Sequence, residues 1–348
     1  MRAWFFDEFG NYDRLKLGAA ADQAAGENEV RIKVASAGIN PIDRSVITGR
    51  FPWVSKPHIP GAEFAGEVVE TGNAVTWLSR GDRVAVFPKI YCGKCSYCLR
   101  GMESGCLANE HMDTAPYIIG LQRNGGWSEF SAVPAVNAVK IPDDVSFEQA
   151  ATLPVDGTTA WHIVERCRPE LAERALVMGA TGGVGTFAIQ LLKMQGCEVI
   201  AAVGNDNQAE FVSRIGADYA VDRNREDVQK AVMQLTGNRG VDVVIDPLGS
   251  ATLSSSMNSL SPMGRYATCG ILTGPKAELS ILRLYSMQIE LIGSTSANRS
   301  DMDAVISLMG RGKLRGAVDS SFSFEDLPKA LRRLDEHGRL GKVMMSVS

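Results

Sequence analysis

The stretch "ALVMGATGGVG", residues 175–185, runs an apolar strand directly into a cluster of glycines. After it, Val184, Phe187, Ala188, Leu191 and Leu192 recur at i, i+3, i+4, i+7 and i+8, the apolar stripe of one helix face. Gly196 ends that helix, and "EVIAAV" follows as a second strand. The alternation continues with a helix around residues 207–215, the strand "YAVD", a helix around 226–235, the strand "VDVVID", and then "GRYATCG" and "QIELIG". Strands that alternate with helices in this way stack into a parallel, doubly wound α/β sheet.

The glycine turn also points to a ligand. Small side chains let the backbone approach a pyrophosphate, and the amides and dipole at the start of the next helix favour its negative charge. Gly179, Thr181, Gly182, Gly183, Val184 and Gly185 are therefore the expected contacts of a dinucleotide cofactor. An ordinary tight turn is the alternative; the flanking strand, helix and second strand argue for the cofactor. An acid at the end of the second strand would hold the ribose hydroxyls of NADH and repel a 2′-phosphate. Here the first side chain after Gly204 is the neutral Asn205, which favours NADPH, with NADH as the alternative. Asp206 is adjacent, and no Lys or Arg lies close by in the sequence to neutralise the phosphate.

The chain of 348 residues is long enough for two domains, and its first 150 residues are patterned differently. "EVRIKVASAG" alternates Val30, Ile32 and Val34 with polar residues, and "AEFAGEVVETG", "GDRVAVFP" and "GGWSEFSAV" are further short strands bounded by turns. This is the pattern of a barrel-like β domain. A net charge of −4 without any basic block argues against nucleic-acid binding. No run of 18 apolar residues spans a membrane, and Asp7 and Glu8 interrupt what would be the apolar core of an export signal. A cytoplasmic location is expected.

Four of the seven cysteines crowd into "YCGKCSYCLRGMESGC", residues 91–106: Cys92, Cys95, Cys98 and Cys106. C-x2-C-x2-C-x7-C offers four thiolates to a tetrahedral ion, for which Zn²⁺ is best suited. Four protein ligands leave no position for water or substrate, so the expected zinc is structural. Disulfides or an iron–sulfur cluster are the alternatives. The histidines His58, His111, His162 and His337 sit in no ligand spacing.

A β domain, a four-cysteine lobe of this spacing and a following nucleotide-binding domain together resemble the medium-chain dehydrogenase/reductase superfamily, over essentially the whole chain. The resemblance implies a GroES-like catalytic domain of residues 1–150 and 295–348, carrying the zinc lobe 91–106. It implies a Rossmann domain of residues 151–294, and a homo-oligomer, a dimer above others. The family also carries a catalytic zinc, and its ligand positions can be followed here. The cysteine position in "AGINPID" is Asn40, with Asp43 retained; the histidine position in "PGAEFAG" is Ala62, with Glu63 retained. The third, in "TLPVDGTTAW", falls at Val155, or at Asp156 if the alignment slips by one. Ile42 stands in place of the hydroxyl that relays the alcohol proton. The catalytic zinc is therefore expected to be lost. "NPID" and "LPVDGTTAW" are similar to the zinc-free quinone oxidoreductase and enoyl reductase branch, which typically lacks the cysteine lobe. The resemblance further implies that Gly270 and Ile271 of "CGIL" and Lys342 of "GKV" line the nicotinamide. It puts Gln208 where related reductases often carry a lysine.

Without a Lewis acid, oxidising a simple alcohol is hard, because nothing stabilises the developing alkoxide. Hydride delivery to a conjugated carbonyl or quinone is easier, since the acceptor delocalises the added charge. The expected activity is NADPH-dependent reduction of a small molecule: a quinone, an enone or an enoyl thioester. Asn40 is the candidate donor to the acceptor oxygen, or else a turn residue before Pro41. Asp43, Glu63 and Asp156 are candidate acids of the site, or else salt-bridge, turn-capping and helix-capping residues. Phe51 offers no proton where related enoyl reductases place a tyrosine, which leaves that role to water. An alcohol or sugar dehydrogenase with a metal site rebuilt from Asp43, Glu63 and Asp156, and a non-enzymatic nucleotide sensor, are the alternatives.

Overall fold

The computed structural model describes residues 1–111 and 116–347. The chain divides into two compact units: Met1–Thr158, Ala297–His337 and the segment from Lys342 onward form the first, and Thr159–Ser296 with Gly338–Gly341 the second.

In the first unit, β1 (Arg2–Phe5) and β2 (Lys16–Ala19) pair antiparallel, a hairpin that the sequence pattern does not reveal. The strand β3 (Glu29–Ile39) is the spine, and its alternating Val30, Ile32 and Val34 are all buried, as period-two patterning requires. Helix α1 (Pro41–Ile47) starts directly after Asn40, with a proline in its first turn where no backbone N–H is needed. Then come β4 (Glu63–Thr71), β5 (Arg83–Val86), β6 (Phe130–Pro134) and β7 (Ala138–Lys140), followed by the one-turn α2 (Phe147–Ala150) and a π-helical turn, Leu153–Gly157. Large apolar side chains such as Phe64, Trp127 and Ile39 fill the core.

The second unit runs α3 (Thr158–Cys167), β8 (Arg174–Val177), α4 (Gly183–Met194), β9 (Glu198–Val203), α5 (Asp206–Arg214), β10 (Tyr219–Asp222), α6 (Val228–Leu235) and β11 (Val241–Asp246). It ends with α7 (Ser250–Asn258), β12 (Leu260–Thr268), α8 (Ile281–Ser286) and β13 (Glu290–Gly293). Its six strands are parallel, in the order β10-β9-β8-β11-β12-β13. The chain reverses direction across the sheet at β8, and the glycine turn follows that strand, at the switch point where such sheets take ligands. Helix α7, "SATLSSSMN", is too rich in serine to show a helical stripe; Thr252 and Ser256 instead donate their hydroxyls to Asp246 at the end of β11.

The chain then returns to the first unit as α9 (Arg299–Gly310), β14 (Val318–Ser323), α10 (Leu327–Asp335) and β15 (Lys342–Ser346). The seven-stranded sheet reads β14-β15-β3-β4-β5-β7, with β6 pairing the first half of β3 and β15 its second half. Two details differ from the boundaries read in the sequence. The first unit extends past residue 150 to Thr158, because the Leu153–Gly157 turn donates the amides of Val155 and Asp156 to Glu63. Between α10 and β15, residues Gly338–Gly341 belong to the second unit, where Gly341 N donates to Thr181 O at 2.8 Å. Among the described residues, no helix is long and apolar enough to cross a membrane.

The glycine turn is built on contact. A Cβ on Gly185 would lie 2.3 Å from Gly179 O and 2.8 Å from Ala180 Cα, so α4 packs on the turn only because no side chain intervenes. Gly185→Val should therefore destabilise the fold, by about 1–3 kcal/mol from overpacking alone. A thermal melt indistinguishable from the wild type would show that α4 can move off the turn.

Candidate active site and metal centre

The ligand atoms of Cys92, Cys95, Cys98 and Cys106 all lie within 4.8 Å of one another. Cys95 Sγ is 3.5 Å from Cys98 Sγ, and Cys92 Sγ is 4.0 Å from it. A tetrahedral zinc with Zn–S bonds of about 2.3 Å has sulfur–sulfur edges of about 3.8 Å, so the cage matches the ion. Backbone N–H groups of Cys92 and Cys95 point at the sulfurs of Cys106 and Cys92, the orientation that stabilises thiolates. Amides of Cys98 and Leu107 hold the Cys95 thiol down to about 6, whereas burial pushes Cys98 up to about 12. The ion must displace that proton. Buried Lys89 adds a cation whose charged form is opposed by burial and supported by Cys106 and Cys98. The lobe is pinned to the start of α9: Arg299 N donates to Glu103 Oε2 at 3.1 Å, and Ser104 N to Asn298 Oδ1 at 3.0 Å. This set fits a structural zinc, and among the described residues it is the one group with metal-ligand spacing.

The four acidic and amide residues picked out in the sequence, Asn40, Asp43, Glu63 and Asp156, come together in the first unit around Lys342. The register explains the meeting. Gly38 of β3 faces Glu63 of β4 on one side and Met344 of β15 on the other. A Cβ on Gly38 would sit 2.6 Å from both Glu63 Oε2 and Lys342 Cε, so the glycine leaves the space in which the pair forms. Lys342, only 4 % exposed, donates to Glu63 Oε2, to Asp156 Oδ2 at 2.9 Å and to Asn40 Oδ1. Burial disfavours its charged form, but Asp156 and Glu63 outweigh this and raise its pKa, so the side chain remains an ammonium.

Each acid is already occupied. Glu63 Oε1 accepts from Val155 N at 2.7 Å and Asp156 N at 3.1 Å, while Oε2 accepts from Lys342 and from Asn40 Nδ2 at 3.1 Å. Asp43 caps α1 by accepting Asn40 N at 2.8 Å and takes Ala62 N at 3.1 Å on its other oxygen. Burial pushes the Asp43 carboxyl up to about 7, against these two amides and Lys342, which pull it down. Asp156 pairs with Lys342 from within the π-helical turn instead of capping α3. Positions 40, 62 and 155–156, where the resemblance locates metal ligands, thus converge on an ammonium, a backbone amide and a saturated carboxylate. The three N–H groups of Lys342, the residue that the resemblance puts beside the nicotinamide, all turn into this cluster. Nothing in "GKV" alone could have signalled this; the cross-strand glycine was the available hint.

In the second unit, Gly179 takes a φ of +59°, and a Cβ on Gly182 would meet only Gly179 O, at 3.4 Å, leaving open space above the turn. Gly183 and Val184 open α4 with their amides. That geometry suits a dinucleotide pyrophosphate. Asn205 caps α5 by accepting Gln208 N at 2.9 Å. Gln208 is buried: it accepts from Gly204 N at 2.7 Å and donates to Thr181 Oγ1 at 3.1 Å, so it braces the turn against the end of β9. Gly270 packs on Pro247, where a Cβ would come within 2.0 Å of the carbonyl, and Ile271 is exposed beside it. The sequence reading missed one group. Arg223, just past β10, lays its guanidinium over Gly204, 2.8 Å from where a Cβ would be. Asp206 is bound at both oxygens by Arg225, at 2.6 and 2.7 Å, and that pairing lowers its pKa. Cations distant in the sequence thus reach the end of β9.

Four thiolates closing one tetrahedron imply about one zinc per chain. Cys95→Ser should lose that zinc and lower the unfolding temperature, because metal binding that needs the folded lobe is linked to folding. Metal analysis paired with thermal melts checks this. Two zinc ions per chain, or an unchanged melt without zinc, would contradict it.

Residues 26–143 match the family described as alcohol dehydrogenase GroES-like domain, and residues 183–311 that described as zinc-binding dehydrogenase. An NAD-dependent alcohol dehydrogenase of Sulfolobus acidocaldarius is 31% identical over 100% of both chains. An acryloyl-coenzyme A reductase of Metallosphaera sedula is 28% identical over 97% of this chain and 98% of its own. Among solved structures, a cobalt- and zinc-bound thermostable alcohol dehydrogenase from Pyrobaculum aerophilum is 38% identical, with a TM-score of 0.91 over 100% of this chain and 99% of that one. With both halves matched and full-length relatives above 30% identity, the chain belongs to the medium-chain dehydrogenase/reductase superfamily of oxidoreductases.

Proposed function

We propose that the protein is an NADPH-dependent reductase of enones, enoyl thioesters or quinones that works without a catalytic metal. The observation that carries this reading is the Lys342 ammonium, which occupies the space among Asn40, Glu63 and Asp156. A rebuilt metal site would need the oxygens of Asp43, Glu63 and Asp156, and those already accept backbone amides or Lys342. That weighs against the dehydrogenation of simple alcohols, which the names of several relatives suggest. The name of the acryloyl-coenzyme A reductase supports the conjugated-carbonyl reading instead.

Reduced nicotinamide, when bound, supplies the hydride. The chain's part is to bind and orient: the amides at Gly182 and Gly183 receive the pyrophosphate, and Arg223 offers its guanidinium to a 2′-phosphate. Asn40 donates an amide N–H to the acceptor oxygen as negative charge gathers there. The three N–H groups of Lys342 are held by Glu63, Asp156 and Asn40, and the product proton is assigned to water. Relatives named NAD-dependent make NADH the competing cofactor. The exposed edge strand β13 with Leu291, and Ile281, Leu282 and Tyr285 on α8, supply the apolar surface for a homo-oligomer, with a dimer favoured.

A panel of enones, enoyl-CoA esters, quinones and aldehydes with NADPH or NADH, and of alcohols with the oxidised cofactors, tests the activity. Turnover confined to simple alcohols would overturn the reading. Arg223→Ala should weaken NADPH by about tenfold, the lower range for one charge-assisted phosphate contact at an exposed site, and change NADH by less than about twofold. Gly182→Val should abolish binding of both while the fold survives. Fluorescence titration with each cofactor reads both variants; equal losses in Arg223→Ala would assign the 2′ site elsewhere.

A further inference from the structure

The hydrogen bonds around Lys342 settle which way the Asn40 amide faces. An ammonium has three donors and no acceptor, so the Asn40 atom that meets it must be the carbonyl oxygen Oδ1. Glu63 Oε2, which also takes Lys342, accepts from Asn40 Nδ2 at 3.1 Å. The three donors of Lys342 are all consumed, by Glu63, Asp156 and Asn40. The four lone pairs of Glu63 are matched by Lys342, Asn40 Nδ2, Val155 N and Asp156 N. Among the described residues, the second N–H of Asn40 is the donor of this network that no bond engages. Asn40 is 1 % exposed, so that N–H is shielded from bulk water.

We propose that Lys342 is the positioning residue of the reaction: by holding Asn40 Oδ1 it turns the amide nitrogen toward the acceptor oxygen and polarises its remaining N–H. The inference rests on the reductase reading and adds to it the source of the electrophilic push. As hydride adds to the β-carbon of an enone, the electron pair of the C=C bond moves toward the carbonyl oxygen, and an enolate develops. That oxygen receives the Asn40 N–H, while water later protonates the α-carbon. A fixed positive charge one hydrogen bond behind the amide makes its nitrogen a stronger donor, since bonds in series polarise one another. The chain thereby supplies, through two side chains, the charge stabilisation that a metal would give directly. Glu63 and Asp156 act one step further out, holding Lys342 so that it cannot turn away. Gly38 leaves the room for both.

The test compares wild type with Lys342→Met, Lys342→Arg, Asn40→Ala and the double variant Lys342→Met/Glu63→Gln, each assayed with the best acceptor of the panel. Lys342→Met leaves buried carboxylates without their cation and is expected to melt earlier. The double variant removes one of the two stranded charges with the cation and is expected to regain part of that stability. In that double variant kcat should still fall on the order of a hundredfold, the scale for losing one aimed oxyanion donor, with KM changed by less than about threefold. Asn40→Ala should show the same split, and adding Lys342→Met to it should lower kcat little further, because the two residues act in series. Lys342→Arg keeps the charge and should retain part of kcat. NADPH affinity, set in the other unit, should be unchanged throughout. A refolded double variant with wild-type kcat would overturn the inference and leave the reductase reading standing, as would additive losses from Asn40→Ala and Lys342→Met. Wild type that reduces no acceptor of the panel would defeat the reading, and the inference with it.

Discussion

A single buried ammonium ties the first unit together. Lys342 opens the last strand, β15, yet its charge is met by Glu63 at the start of β4, by Asp156 in the turn after α2 and by Asn40 at the entrance to α1. Four chain segments far apart in sequence thus depend on one cation. Removing one partner from a buried pair of this kind costs about 3–5 kcal/mol, because the other charge is left without water or counter-charge. Satisfaction is equally demanding for the acids. Glu63 carries four donors, and two of them are the amides that hold the Leu153–Gly157 turn against the sheet. The extension of the first unit to Thr158 follows from those two bonds.

The cysteine lobe and the Lys342 cluster are held together in different ways. The cysteine lobe is self-contained: spacing, N–H···S contacts and a closed tetrahedron suffice, and its links to Asn298 and Arg299 brace the chain where it re-enters the first unit. At the positions the resemblance would give to a second metal stand an asparagine, an alanine and a valine–aspartate pair, and Glu63 and Asp156 there both pair with Lys342. An ammonium differs from a metal in having no open coordination position. With its three N–H groups engaged, this one has none to offer an alkoxide, but it holds and orients the Asn40 amide.

In the second unit the recognition problem is divided differently. The glycine turn is conformational, set by a positive φ at Gly179 and by the absence of side chains at Gly182 and Gly185. Beside it, cationic side chains are delivered to the end of β9 by the next strand: Arg223 over Gly204, and Arg225 paired with Asp206. Gln208 links the two parts, joining Thr181 of the turn to Gly204 at the end of β9.

The sequence by itself determined the parallel sheet, the glycine turn and the metal lobe. Each is written in local periodicity or spacing: the stripe from Val184 to Leu192, the alternation of Val30, Ile32 and Val34, and four cysteines within one loop. The expectation that Asn40, Ala62 and Val155 or Asp156 hold no catalytic zinc also comes from the sequence, since ligand chemistry belongs to residue type. Elements with no such signal, among them the hairpin β1–β2 and the serine-rich α7, came only with the structure, because their stability comes from partners elsewhere in the chain. The tertiary structure alone decided what the retained polar residues do. Asp43, Glu63 and Asp156 look like free acids in one dimension, but antiparallel register across Gly38 brings Lys342 into their midst and assigns every lone pair of Glu63. Arg223 likewise reaches Gly204 because parallel neighbours end side by side, a proximity between strands that no local pattern encodes.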